Sequence, residues 1–265
     1  MTKKQAAELA AYKRSNKDRK KVLLAKMGYK TQEEYFDAIG ATKKKKTPTK
    51  VKATKVKISK PAKKHKIHNV FIMDDSGSMS GSKYKNGVEG IKLLVEGIKA
   101  DNLTENTISI VDLNRGVVFW MSDPKNVNYE GHTKLMSTPL YRTIGKTIED
   151  LLKSVGKKDK VLLNITTDGQ DTEGFGPYTN LPTTLKKVQE ENNFTVTFVG
   201  TEHDVKYIQD HLNVDASNTL VHDNTAGGMQ KAFMATNSAR STYSSSVSKG
   251  LDVSVGFYEK KVGTL

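Results

Sequence analysis

Cysteine is absent from all 265 residues, which excludes disulfides, thiolate metal sites and a cysteine nucleophile. Long apolar runs are absent too, and nothing approaches the ~20 residues of a membrane span. Met1–Lys30 is charged throughout and lacks the apolar core of a signal peptide. A cytoplasmic protein is therefore expected, in a host cytoplasm or a virion if the chain is viral. Acidic residues are scarce at one end only. Residues 1–67 hold 22 Lys/Arg against 5 Asp/Glu, whereas residues 68–265 hold 21 against 24. The net charge of +14 thus belongs to a basic N-terminal part, separable from a nearly neutral remainder.

Residues 1–40 read as a small helical segment, with Gly28 as a stop and Thr31 and Glu34 as a capping box for a second helix. Two helices of this size hold no core alone and need a surface to dock on. Residues 41–66 are rich in Lys, Thr and Pro, a composition that predicts a flexible linker. Lys43, Lys44, Lys45 and Lys46 are its densest charge, suited to nucleic-acid phosphates or to an acidic protein surface. The linker has no aromatic residue, so stacking on bases is not expected.

From residue 67 to 240 short apolar runs alternate with amphipathic stretches. Strands are predicted at Val70–Met73, Thr107–Leu113, Lys160–Thr167, Phe194–Val199 and Thr219–His222. Helices are predicted from Lys83 onward and at Leu140–Val155, Leu181–Asn192, His203–Leu212 and Ala226–Ala239. Val117–Met121 follows the turn Asn114-Arg115-Gly116 and returns as an antiparallel edge, where Trp120 packs. Such a series implies an α/β fold, a Rossmann-like doubly wound and mostly parallel sheet with helices on both faces. Residues 241–265 read as a serine-rich spacer, then a tail in which Leu251, Val253, Val255 and Phe257 alternate like an edge strand.

Oxygen-bearing side chains gather at three predicted strand ends or helix starts. Asp74, Ser76 and Ser78 follow the first strand, Thr138 precedes the Leu140 helix, and Asp168 follows Lys160–Thr167. Hydroxyls and carboxylates without His or Cys suit a hard cation, Mg²⁺ or Mn²⁺. Plainer roles exist for each: loop solvation for the serines, a helix N-cap for Thr138, a turn before Gly169 for Asp168.

Asp-x-Ser-x-Ser after a first strand, Thr-Pro-Leu-Tyr opening a helix and Thr-Asp-Gly after a later strand together resemble the von Willebrand factor A (VWA) domain, over roughly residues 67–240. The resemblance implies a metal-ion-dependent adhesion site. Ser76, Ser78 and Thr138 would bind one Mg²⁺ or Mn²⁺ directly, and Asp74 and Asp168 would act through water or hydrogen bonds. A protein partner would donate an Asp or Glu to the metal, in a non-enzymatic adhesion or scaffold role. Asp75 departs from the family's usual apolar residue and adds negative charge beside the site, and His132 would border the ligand face. The helical head, Lys-rich tether and Cys-free composition fit a bacteriophage or bacterial assembly.

Rival chemistries fit less well. Gly77 to Lys83 joins strand to helix but has the wrong spacing for a P-loop. A phosphoaspartyl receiver would use Asp74, Asp75 and Asp112, yet the Phe194–Gly200 segment ends without the lysine it requires. The alternative from another class is a nucleic-acid-associated protein that binds through the Lys-rich arm.

Overall fold

The structure, a computed structural model, describes residues 64–132, 136–168, 170–191, 194–251 and 253–259. The expected helical head and Lys43–Lys46 lie outside the described residues. Six strands form one sheet in the order β3-β2-β1-β4-β5-β6. They are β1 (Lys66–Met73), β2 (Glu105–Asp112), β3 (Gly116–Ser122), β4 (Lys160–Thr166), β5 (Phe194–Gly200) and β6 (Thr219–Val221). All neighbours are parallel except β2 and β3. The helices are α1 (Ser82–Lys99), α2 (Leu140–Ser154), α3 (Leu181–Glu190), α4 (Glu202–Leu212) and α5 (Ala226–Ser248). This is the doubly wound, mostly parallel α/β architecture with one antiparallel edge expected from the alternation of strands and helices.

The period-2 pattern of the central strands explains the layering. Val70 and Ile72 of β1 join Val161, Leu163 and Ile165 of β4 in a core covered by α2, α3 and α4. Phe71 and Met73 point the other way, into a core shared with α1 and with Met229 and Phe233 of α5. Both faces are buried, so these strands read as near-continuous apolar runs rather than as alternating ones. On the second face α1 and α5 approach closely because α1 carries glycines there. A Cβ on Gly90 would lie 2.1 Å from Phe233 Cδ2, and one on Gly97 2.2 Å from Asn237 Oδ1. Gly in a helix interior costs about 1 kcal/mol relative to Ala, a cost the close packing offsets. Trp120 packs beside the α2-side core, as expected of an edge residue.

Two expectations for the C-terminal part are corrected. The serine-rich stretch 241–248 is not a spacer but the last two turns of α5. Its buried residues Tyr243 and Val247 join Ile67 and Leu162 in a third cluster. The tail forms no strand among the described residues. Val253 and Phe257 are buried in that cluster while Leu251 and Val255 stay more than half exposed. Side chains hold its backbone in place of a ladder. Thr195 Oγ1 donates to the Val253 carbonyl at 2.9 Å, Asn218 Nδ2 to that of Ser254 at 2.8 Å, and Phe257 N to Asn218 Oδ1 at 2.9 Å. No described helix is long and apolar enough to cross a membrane.

Candidate metal centre

In a doubly wound sheet, ligands collect outside the carboxyl ends of the strands where the winding reverses. Here the chain goes from β1 to β2 on one side, and β4 then pairs with β1 on the other. The ends of β1 and β4 thus flank the reversal. Asp74 to Ser78 leave the first, and Thr167 and Asp168 leave the second.

Asp74 is fully buried. Its Oδ1 accepts the Ser76 N–H at 2.8 Å and its Oδ2 accepts the Thr167 hydroxyl. Burial raises its pKa, bonds from Ser76 and Thr167 oppose that rise, and the charge on Asp168 adds to it. A short 3₁₀ turn, Gly77–Met79, then brings Ser78 back beside Ser76, with the two hydroxyl oxygens 3.0 Å apart. Ser78 donates to Asp168 Oδ1 at 2.7 Å across 90 residues of chain. Lys83, in the first turn of α1, donates to Asp168 Oδ2 at 2.7 Å.

Backbone pairing holds the loop that carries Thr138 against the Ser76 loop. Met136 bridges Ser76 and accepts the Gly77 N–H at 3.3 Å. The Thr138 carbonyl accepts the N–H groups of Leu140 and Thr172 at 2.9 and 3.1 Å, and Thr172 Oγ1 accepts the Thr138 N–H at 2.9 Å. Thr138 does not cap α2. Pro139 holds the N-cap position without a side-chain cap bond, and Asp171 Oδ2 takes the Tyr141 N–H at 2.9 Å. The helix-cap role therefore falls to Asp171.

Asp75 points elsewhere. It is fully buried and accepts Asn114 N at 2.7 Å, Asn114 Nδ2 at 3.0 Å and Arg115 N at 3.2 Å. Its charge is spent on the β2–β3 turn. Asn114 also donates to the Ser137 carbonyl at 2.9 Å, so the turn braces the Thr138 loop. His132 is exposed and borders a cavity of about 570 Å³ with Arg115, Phe119 and Glu130. Its backbone N–H donates to the Tyr84 hydroxyl at 2.6 Å.

The donor set fits a hard cation. Neighbouring oxygens of an octahedral Mg²⁺ at about 2.0–2.1 Å stand about 2.9–3.0 Å apart, which is the Ser76–Ser78 separation. Ser78 has a carboxylate behind it to take its proton, Asp168, while Asp74 fixes Ser76 through its backbone N–H. Lone pairs are then left for an ion, an arrangement in which carboxylates orient and polarise the direct ligands. Among the described residues no cluster of three or more His, Cys, Asp or Glu is placed to hold a metal, so a cation here depends on hydroxyls.

Sequence reasoning missed Lys83, Thr167, Asp171 and Asn114. Lys83 reads as an exposed residue at a helix start, and only the tertiary fold brings it to Asp168. Asp171 is legible in principle, since Asp before Thr-Glu-Gly signals an Asx turn, and it accepts the Glu173 N–H at 3.0 Å.

Asp112, at the end of β2, is fully buried beside this region. It accepts the Tyr129 hydroxyl at 2.7 Å, and its Oδ2 has no hydrogen-bond partner among the described residues. Burial raises its pKa from 3.8 to about 6, opposed by the Tyr129 bond and reinforced by Asp75. A folded-state pKa above the unfolded one means that the buried charge disfavours folding above pH 6, and that this penalty vanishes below about pH 4. Asp112→Asn should therefore gain relative to wild type by about 1–3 kcal/mol between pH 4 and pH 8, as read by urea unfolding at both pH values. A pH-independent difference would contradict the assignment.

No family model matches the chain, and no curated protein matches it. Among solved structures it is similar to the ArnB paralog VWA2 from Sulfolobus acidocaldarius, with a TM-score of 0.48 and 19% identity over 66% of this chain and 46% of that one. It is also similar to proximal thread matrix protein 1 from the mussel byssus, with a TM-score of 0.47 and 13% identity over 64% of this chain and 47% of that one. Each match thus spans less than half of the other protein.

Proposed function

We propose that the described domain is a VWA-type protein-binding module that works through one Mg²⁺ or Mn²⁺ and performs no catalysis. Ser76, Ser78 and Thr138 hold the ion, and Asp74 and Asp168 orient them. The observation that carries this reading is the Ser76–Ser78–Asp168 chain of oxygens, with links of 3.0 and 2.7 Å at the point where the sheet reverses its winding. Neutral hydroxyls leave the bound cation most of its charge, so it seeks an anionic ligand, and a partner's Asp or Glu supplies one. Ser78 is exposed, which gives a partner access. A phosphoaspartyl role for Asp74 is disfavoured by its burial and by the bonds on both of its oxygens.

The charge surplus of residues 1–67 favours a second and separable contact, in which the arm with Lys43–Lys46 meets nucleic-acid phosphates or an acidic surface. Affinity capture in Mg²⁺ and in EDTA separates the two. A partner held through the metal is lost in EDTA and with Ser76→Ala. A partner held through the arm survives EDTA and weakens with salt, by roughly 0.9 log units per contacted phosphate for each log unit of salt. Capture of every partner unchanged by EDTA and by Ser76→Ala would refute the metal-dependent reading.

A further inference from the structure

Lys83 stands where its own helix disfavours it. It is the second residue of α1, whose first turn contains no acid, and a cation at a helix N-terminus opposes the macrodipole. The position is set by the path from β1. Gly81, at φ +76°, turns the chain into α1, and Lys83 Nζ then lies 2.7 Å from Asp168 Oδ2. The pair is asymmetric in exposure, with the Asp168 side chain 1% exposed and that of Lys83 29%. With Ser78 on Oδ1 and Lys83 on Oδ2, both oxygens of Asp168 have donors, one of them a full positive charge. A buried carboxylate needs such a counter-charge.

We infer that Lys83 is the built-in counter-ion of the metal centre and sets how tightly that centre holds its divalent ion. This rests on the metal-site reading above. With no divalent ion bound, the ammonium neutralises Asp168 and keeps the Ser78–Asp168 bond in place. A divalent ion beside Ser76 and Ser78 then meets a carboxylate whose charge is already matched, and it is repelled by the ammonium. The two cations are coupled through one carboxylate, and the coupling is reciprocal: the metal loosens Lys83 as much as Lys83 weakens the metal. The device keeps the ion's charge directed at an anionic partner instead of at its own carboxylate.

The test is calorimetric titration of Mn²⁺ into metal-stripped full-length protein. Lys83→Met should bind Mn²⁺ about tenfold more tightly than wild type, whereas Lys83→Arg, which keeps the charge, should stay near wild type. Without metal Lys83→Met should melt lower than wild type, and saturating Mn²⁺ should close that gap, which a purely structural lysine would not do. Lys83→Gln, which keeps a donor for Asp168 without the charge, repeats the titration should the methionine variant not fold. Wild type that binds Mn²⁺ while the neutral variants bind it no more tightly overturns the role of Lys83 and leaves the metal site standing. Absence of binding in wild type and variants alike overturns the metal site, and the role of Lys83 with it.

Discussion

Arg240→Ala should destabilise the fold by about 3–5 kcal/mol, the usual loss when one partner of a buried ion pair is removed. Arg240 lies in α5 and Asp101 just after α1, their side chains each 4% exposed and 3.3 Å apart. Burial raises the Asp101 pKa, but the Ser244 hydroxyl, the Leu103 N–H, the Thr104 hydroxyl and the Arg240 charge outweigh it and hold the pKa at about 2. Because the folded-state pKa lies below the unfolded one, this group's stabilisation is complete above about pH 4 and is lost as pH falls toward 2. Urea unfolding at pH 7 reads the cost of Arg240→Ala. A double variant, Arg240→Met with Asp101→Asn, should recover part of it, since neither charge is then stranded. A loss below about 1 kcal/mol for Arg240→Ala would show that the pair does not fasten α5 to the domain.

The second large effect concerns the site. Asp168→Ala should weaken Mg²⁺ or Mn²⁺ binding by about 10–100-fold, the range for residues that orient direct metal ligands. Ser78 loses the acceptor that fixes its hydroxyl at 2.7 Å, so its lone pair is no longer aimed. The fold should persist, because Lys83 is part-exposed and its ammonium can turn to water when its partner is gone. Unchanged affinity in a folded Asp168→Ala protein would remove Asp168 from the site.

How much of this was legible beforehand follows from the physics of each signal. The strands were readable as short apolar runs, and the first four helices because their apolar residues recur with period 3.6. The candidate ligands were readable because three short motifs fall at strand ends and helix starts. The second half of α5 was not. Its buried stripe runs Met229, Phe233, Thr236, Arg240, Tyr243, Val247, with helical spacing throughout, but two of the six are polar and Ser and Thr are weak helix formers. A search for apolar periodicity stops at Ala239 for that reason. Asp75 was misplaced because sequence distance from Ser76 says nothing of direction, and its carboxylate serves the Asn114 turn. Lys83 was missed because its partner lies 85 residues away.

In the proposed site Ser76, Ser78 and Thr138, backed by Asp74 and Asp168, hold one divalent cation. The most direct measurement is titration calorimetry of Mg²⁺ and Mn²⁺ into folded, metal-stripped wild-type protein. Saturable binding of one ion per chain is expected, abolished in the Ser76→Ala, Ser78→Ala double variant. No heat with either ion, or the same heat in the double variant, would contradict it.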